Sequence, residues 1–101
     1  MLVSFSEKGW AHYLYWQETD RAVLHKINDL IRECSRTPFK GTGKPEALKN
    51  DLRGFWSRRI NHEHRLVHQM VGDVLIVATC RFHYENKLSF TAPACVVAGF
   101  N

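Results

Sequence analysis

Val23, Leu24, Ile27, Leu30, Ile31 and Cys34 recur at i, i+1, i+4, i+7, i+8 and i+11, the spacing of a helix with one apolar face. Such a stripe must be buried on another element, and this requirement restricts the fold more than any other feature of the chain. Thr19 or Asp20 caps its start. Thr37-Pro38 ends it, because proline cannot continue the hydrogen-bond ladder and biases its predecessor away from helix. Upstream, Leu2 to Phe5 alternates as a short strand. Ser6 then caps a first helix running to about Thr19, with Trp10, Tyr13 and Leu14 expected on its buried stripe.

The surface that covers these helices lies after Gly54. Three strands are expected, at about Phe55 to Ile60, Arg65 to Val71 and Val74 to Tyr84, the last two joined by a Gly72-Asp73 turn. In the last of them Val74, Ile76, Ala78, Cys80 and Phe82 alternate with Leu75, Val77, Thr79, Arg81 and His83. The first set is wholly apolar and is expected to face the helices. The second ends in charge and imidazole and is expected to border a site. Between helix and strands, FKGTGKP (39–45) reads as loop, and Pro45 suits the first turn of a short helix, PEALKNDL. The pattern is α+β, and 101 residues suffice for one hydrophobic core but not two. Residues 85–101 show no clear period and read as an appended tail.

Composition closes off several classes. With 45% hydrophobic and 24% charged residues the chain is globular rather than disordered. The apolar run Val74 to Ala78 is far too short to span a bilayer, and MLVSFSEKGW lacks the basic and apolar regions of a signal peptide. Cys34, Cys80 and Cys95 are odd in number without CxxC spacing, so buried thiols in a reducing cytoplasm are expected, not a disulfide frame or zinc site. His62-Glu63-His64 sits in a tight turn without converging ligands, and a polar turn is expected there instead of a metal centre. The aromatic run YLYWQ (13–17) is expected to be core packing plus a partner-facing edge.

Charge is concentrated. Arg36, Lys40, Lys44, Lys49, Arg53, Arg58, Arg59 and Arg65 face only Glu46, Asp51 and Glu63 in the same segment, leaving it at +5 while the whole chain is +4. An anionic partner, nucleic acid or acidic peptide, would complement it; a solvated basic surface is the plain alternative. Between Lys44 and Tyr84 recur a carboxylate, several cations, an imidazole and a phenol, the set that metal-free RNA cleavage requires. A base must take the 2′-hydroxyl proton, an acid must protonate the departing 5′-oxygen, and fixed cations must hold the phosphorane charge. On that logic Glu46 is the base and Lys49 lies one helical turn on. Arg59 and Arg65 grip the phosphate with Arg58 beside them, His83 is the acid and Tyr84 stacks or orients. Each also has a structural reading: a first-turn carboxylate, a solvated lysine, salt-bridged strand arginines, a fraying strand end.

Four stretches, YLYWQETD (13–20), RTPFKGTGKPEALK (36–49), GFWSRRINHEHRLV (54–67) and CRFHY (80–84), make residues 1–84 resemble the YoeB toxins, a branch of the RelE/ParE superfamily. The resemblance implies two helices on a mainly antiparallel four-stranded sheet and a cytoplasmic, ribosome-dependent endoribonuclease that cuts mRNA in the A site without a cofactor. It further implies a YefM-like antitoxin partner and a homodimer. The family's base matches Glu46, its phosphate-binding cations Lys49, Arg59 and Arg65, and its acid and aromatic His83 and Tyr84. Family chains usually end near the equivalent of Tyr84, which makes residues 85–101 an extension. Two other functions stay open: a ParE-type inhibitor that binds a topoisomerase without chemistry, and a nuclease fold silenced by its extension. A contact inhibitor has no reason to carry Glu46, His83 and Tyr84 together.

Overall fold

Leu2–Phe5 forms strand β1, and Ser6 turns it directly into helix α1, Glu7–Thr19. The structure is a computed structural model that describes residues 2–82 and the backbone of residues 96–99. Ser6 Oγ accepts the Gly9 N–H (2.9 Å) and donates to the Ala78 carbonyl (2.6 Å), so the cap also fastens the helix to a distant strand. Helix α2, Arg21–Arg36, follows at once, with Asp20 Oδ1 accepting from the Ala22 and Val23 N–H groups. Its buried residues are Leu24, Ile27, Leu30, Ile31 and Cys34, as the periodicity requires.

Helix α1 departs from expectation. Gly9 and Trp16 are buried, Trp10 and Tyr13 pack partly against the core, and Leu14 is exposed. Close approach is the reason: a Cβ at Gly9 would lie 2.4 Å from the Val77 carbonyl oxygen, so glycine lets the helix settle onto the sheet. The line Gly9–Tyr13–Trp16 then turns Leu14 outward.

The remaining strands are β2 (Glu46–Ala47), β3 (Trp56–Arg59), β4 (Arg65–Val71), β5 (Val74–Thr79) and β6 (Val96–Gly99), with a 3-10 turn at Asn50–Leu52. They form one sheet in the order β2-β3-β4-β5-β1-β6, in which β1 and β5 run parallel and the other neighbours antiparallel. Two helices on a mainly antiparallel sheet is the expected α+β architecture. The sheet has two strands more than the four expected. Strand β2 replaces the expected Pro45–Leu52 helix, because its backbone pairs with Trp56 and Ser57 and a positive φ at Asn50 (56°) interrupts any helical run. Strand β6 comes from the segment read as a tail and pairs with β1 from Leu2↔Gly99 to Phe5↔Val96.

Both faces of the central strands are covered. Val3, Phe5, Ile60, Leu66, Leu75 and Val77 meet the helices, while Leu48, Leu52, Val67 and Ala78 cluster on the other face with Phe55. The expected facing of β5 is therefore reversed: Leu75 and Val77 look toward the helices, and Val74 and Ile76 are half-buried on the far side. The strand also ends at Thr79 rather than Tyr84, and a bulge between Val77 and Thr79 leaves Ala78 without a partner across β4. The bulge also resets the alternation: Thr79 pairs with far-side Val67, which returns Cys80 to the helix-side cluster. Cys34 and Cys80 are buried free thiols, whereas Cys95 lies outside the described residues. Among the described residues no helix is long and apolar enough to cross a membrane.

His68 sits on the helix side of β4, fully buried, with Nε2 3.6 Å from Cys34 Sγ. Burial, reinforced by the Arg58 charge, lowers its pKa from 6.5 to about 4, so the folded protein holds it neutral. A depressed folded-state pKa means that the unfolded chain binds the proton first. This stability is complete above pH 6.5 and is lost as the pH falls toward 4. Urea unfolding should show a loss of about 2 kcal/mol from this group between pH 7.5 and pH 5, and His68→Leu should flatten the pH dependence by that amount. An unchanged slope in the variant contradicts the assignment.

Candidate active site

Strand register sorts the expected site residues. Arg58 pairs with Leu66 and Arg59 with Arg65, while Glu46 pairs with Ser57. Residues two apart share a face. Ser57, opposite buried Val67, lies on the face away from the helices, and so do Glu46, Arg59 and Arg65. A carboxylate and two guanidiniums, separated by up to 19 positions in sequence, thus meet on one side of the sheet at the β2–β3–β4 edge. Glu46 and Arg59 are exposed and Arg65 is half-buried. Among the described residues neither arginine is paired with a carboxylate, and the buried Arg65 Nε makes no hydrogen bond. Like charges placed directly across a strand pair are destabilising, which an anion bound between them would offset.

Arg58 does not belong to this group, contrary to expectation. It points to the helix side, fully buried, and donates to the carbonyls of Thr37 (2.6 Å), Lys40 (2.7 Å) and Thr42 (3.2 Å). Glu33 lies 3.7 Å away and accepts the Thr42 N–H, a bond that, with the Arg58 charge, holds its carboxyl below the ordinary range. Arg58 is a structural cation, because both of its terminal nitrogens are taken up by backbone oxygen and Glu33. The loop it gathers closes on Gly43, whose φ is +85° and whose carbonyl accepts the Arg59 N–H at 2.7 Å. A Cβ there would lie 3.0 Å from the Arg59 carbonyl oxygen.

Lys49 is exposed in extended backbone at the start of the 3-10 turn, so the helical i+3 relation to Glu46 is absent. His83 and Tyr84 lie outside the described residues. The chain leading to them is held from two sides. Trp16 Nε1 donates to the Cys80 carbonyl (2.8 Å) and the Cys80 N–H donates to His12 Nδ1 (3.2 Å). The Phe82 N–H donates to His64 Nδ1 (2.8 Å), and its carbonyl accepts the Arg65 N–H (3.0 Å). Arg81 lays its guanidinium 3.6 Å over the Tyr15 ring. The roles of His12 and His64 were not legible: nothing about an isolated histidine tells that its ring accepts a backbone N–H far along the chain.

Residues 5–84 match the family described as YoeB-like toxin of bacterial type II toxin–antitoxin system. The chain is 57% identical over 84 residues to toxin YoeB of Escherichia coli K12, covering 83% of this chain and 100% of that protein. Its structure resembles that of a YoeB/ParE toxin from Agrobacterium tumefaciens with a TM-score of 0.80 and 51% identity, over 83% of this chain and 100% of the other. Two Staphylococcus aureus structures are also similar, a heterotetrameric YoeB–YefM complex and a YoeB dimer. Their TM-scores are 0.77 and 0.76, each at 42% identity over 81% of this chain and 95% of theirs.

The opposite facing of two adjacent arginines makes a sharp contrast in stability. Removing Arg58 takes the shared donor from the Thr37, Lys40 and Thr42 carbonyls and the cation from Glu33, so Arg58→Met should cost on the order of 3 kcal/mol and Arg58→Lys somewhat less. Arg59→Met should stay within about 0.5 kcal/mol of the parent or stabilise it. Chemical denaturation measures all three, and equal costs at the two positions would contradict the assignment.

Proposed function

The chain belongs to the YoeB-like toxins of bacterial type II toxin–antitoxin systems, and on that premise we propose that it is an endoribonuclease that cuts mRNA in the ribosomal A site. The observation that carries this reading is the register that puts Glu46, Arg59 and Arg65 on one exposed sheet face. The Glu46 carboxylate takes the proton from the 2′-hydroxyl, whose oxygen attacks the adjacent phosphorus. Arg59 and Arg65 hold the phosphate oxygens as charge builds in the phosphorane, Arg65 by a two-pronged contact, and Lys49 adds charge nearby. His83 gives a proton to the departing 5′-oxygen, and Tyr84 stacks on the neighbouring base. The products are a 2′,3′-cyclic phosphate and a 5′-hydroxyl, and every proton is accounted for by a side chain, so the reaction asks for no metal or cofactor.

A few side chains on a sheet of this size offer little surface to position a long RNA, and the ribosome supplies that positioning. The reaction therefore takes place in the cytoplasm, where messages are translated. We assign it to residues 1–84, with residues 85–101 an extension whose strand β6 lies at the β1 edge, at the other end of the sheet order from β2. The basic segment from Arg36 to Arg65 is also suited to an acidic, partly disordered antitoxin segment that orders on binding. A YefM-like antitoxin and a homodimer are the partners that fit, as in the S. aureus relative.

Purified protein added to translating ribosomes, with primer extension across the message, is the test. Ribosome-bound message should be cut and free RNA cut only weakly. Glu46→Ala and His83→Ala should each lower the single-turnover rate by roughly 10²- to 10⁴-fold with ribosome binding nearly intact. Arg65→Lys, which keeps the charge and loses the fork, should remain clearly impaired. Equal cutting of free and bound RNA contradicts ribosome dependence. Topoisomerase inhibition without any cutting would favour the contact inhibitor.

A further inference from the structure

Phe82 is the last described residue before His83, and its backbone is strained. Its φ is +65°, a left-handed conformation that aromatic side chains rarely adopt and that persists only where the surroundings enforce it. Two adjacent residues at the start of β4 do so. His64 Nδ1 accepts the Phe82 N–H, and the Arg65 N–H is donated to the Phe82 carbonyl. A backbone N–H can only donate, so His64 Nδ1 must carry the lone pair and the ring its proton on Nε2.

The His64 ring is itself held. It meets Trp16 edge-on, with centroids 4.8 Å apart. Asn61 Oδ1 accepts the N–H groups of Glu63 (2.9 Å) and His64 (2.8 Å), which rigidifies the β3–β4 turn. His12 repeats the arrangement two residues earlier by accepting the Cys80 N–H. Burial lowers its pKa to about 4, with Lys8, Arg81 and His64 acting in the same direction, so its acceptor is retained at neutral pH.

We propose that His64 is a positioning residue for the cleavage reaction: through Phe82 it sets the direction in which the chain leaves toward His83, and ties that direction to the strand start that carries Arg65. The inference rests on the reading of His83 as the acid. The Phe82 peptide and the phosphate clamp then share one frame, fixed at residues 64 and 65 rather than at the far end of β5. His64 does not touch RNA. Its loss acts through misplacement, which for a group that delivers a proton in transit costs rate and not affinity.

Three variants separate this from a packing role. His64→Asn places an amide oxygen where Nδ1 lies, His64→Gln moves it outward, and His64→Leu removes the acceptor. Single-turnover cleavage at saturating ribosomes should fall about 10²-fold in the Leu and Gln variants and by less than about fivefold in Asn, with ribosome affinity unchanged in all three. Amide exchange at Phe82 should lose protection in Leu and Gln and keep it in Asn. An Asn variant no faster than Gln overturns the proposal, and so does a Leu variant that cuts at the parent rate. If the Leu variant does not fold, the comparison of Asn with Gln decides. A parent protein that cuts no message would remove the nuclease reading alone. The Phe82 amide would then still decide the contact: unchanged protection in Leu and Gln overturns it, and loss with retention in Asn supports it.

Discussion

The buried guanidinium of Arg58 joins the two halves of the fold. It reaches from the middle of β3 toward the helix layer and binds the carbonyls of Thr37, Lys40 and Thr42, just beyond the C-terminus of α2. Desolvating such a charge costs several kcal/mol, and fixed carbonyl oxygens, the Glu33 carboxylate and the negative end of the helix dipole together offset it. The loop so gathered hands its Gly43 carbonyl to the Arg59 N–H and then runs into β2. The position of Glu46 therefore depends on a neighbouring cation that never meets solvent.

From that anchor the chemistry follows by alternation. Because Arg58 is turned inward, Arg59 is turned outward. The pairing of Arg59 with Arg65, and of Glu46 with Ser57, then assembles a carboxylate and two cations on the face away from the helices. On that face Leu48, Leu52, Val67 and Ala78 form a second small cluster, which supports the 48–55 segment without covering the charged edge. The β3–β4 turn completes the frame by holding Phe82 through His64 and Arg65.

The helices were legible because both have strong caps and α2 has a single apolar face. Ser6, Asp20 and the residues of the α2 stripe took their expected places, while the buried face of α1, which lacks so clear a stripe, was only partly foreseen. The facing of β5 was not, since both of its sides are apolar and alternation carries no polarity signal in a strand covered on both faces. The Pro45–Leu52 helix failed for a related reason. Edge pairing with β3 claims the backbone groups that a helical turn would use, and no local propensity reports a distant strand. Of the site, Glu46, Arg59 and Arg65 were chosen by residue type, and the register is what brings them together. Arg58 was misread because three arginines on a hairpin look alike until the pleat separates inside from outside.

The most direct measurement is a structure of the protein on a ribosome whose message carries a 2′-O-methyl group at the cut position, which removes the attacking proton and arrests the reaction. The account predicts the scissile phosphate against Arg59 and Arg65, with the blocked 2′-oxygen beside the Glu46 carboxylate, on the sheet face away from α1 and α2. A phosphate seated on the helix side, or out of reach of Glu46, would contradict it.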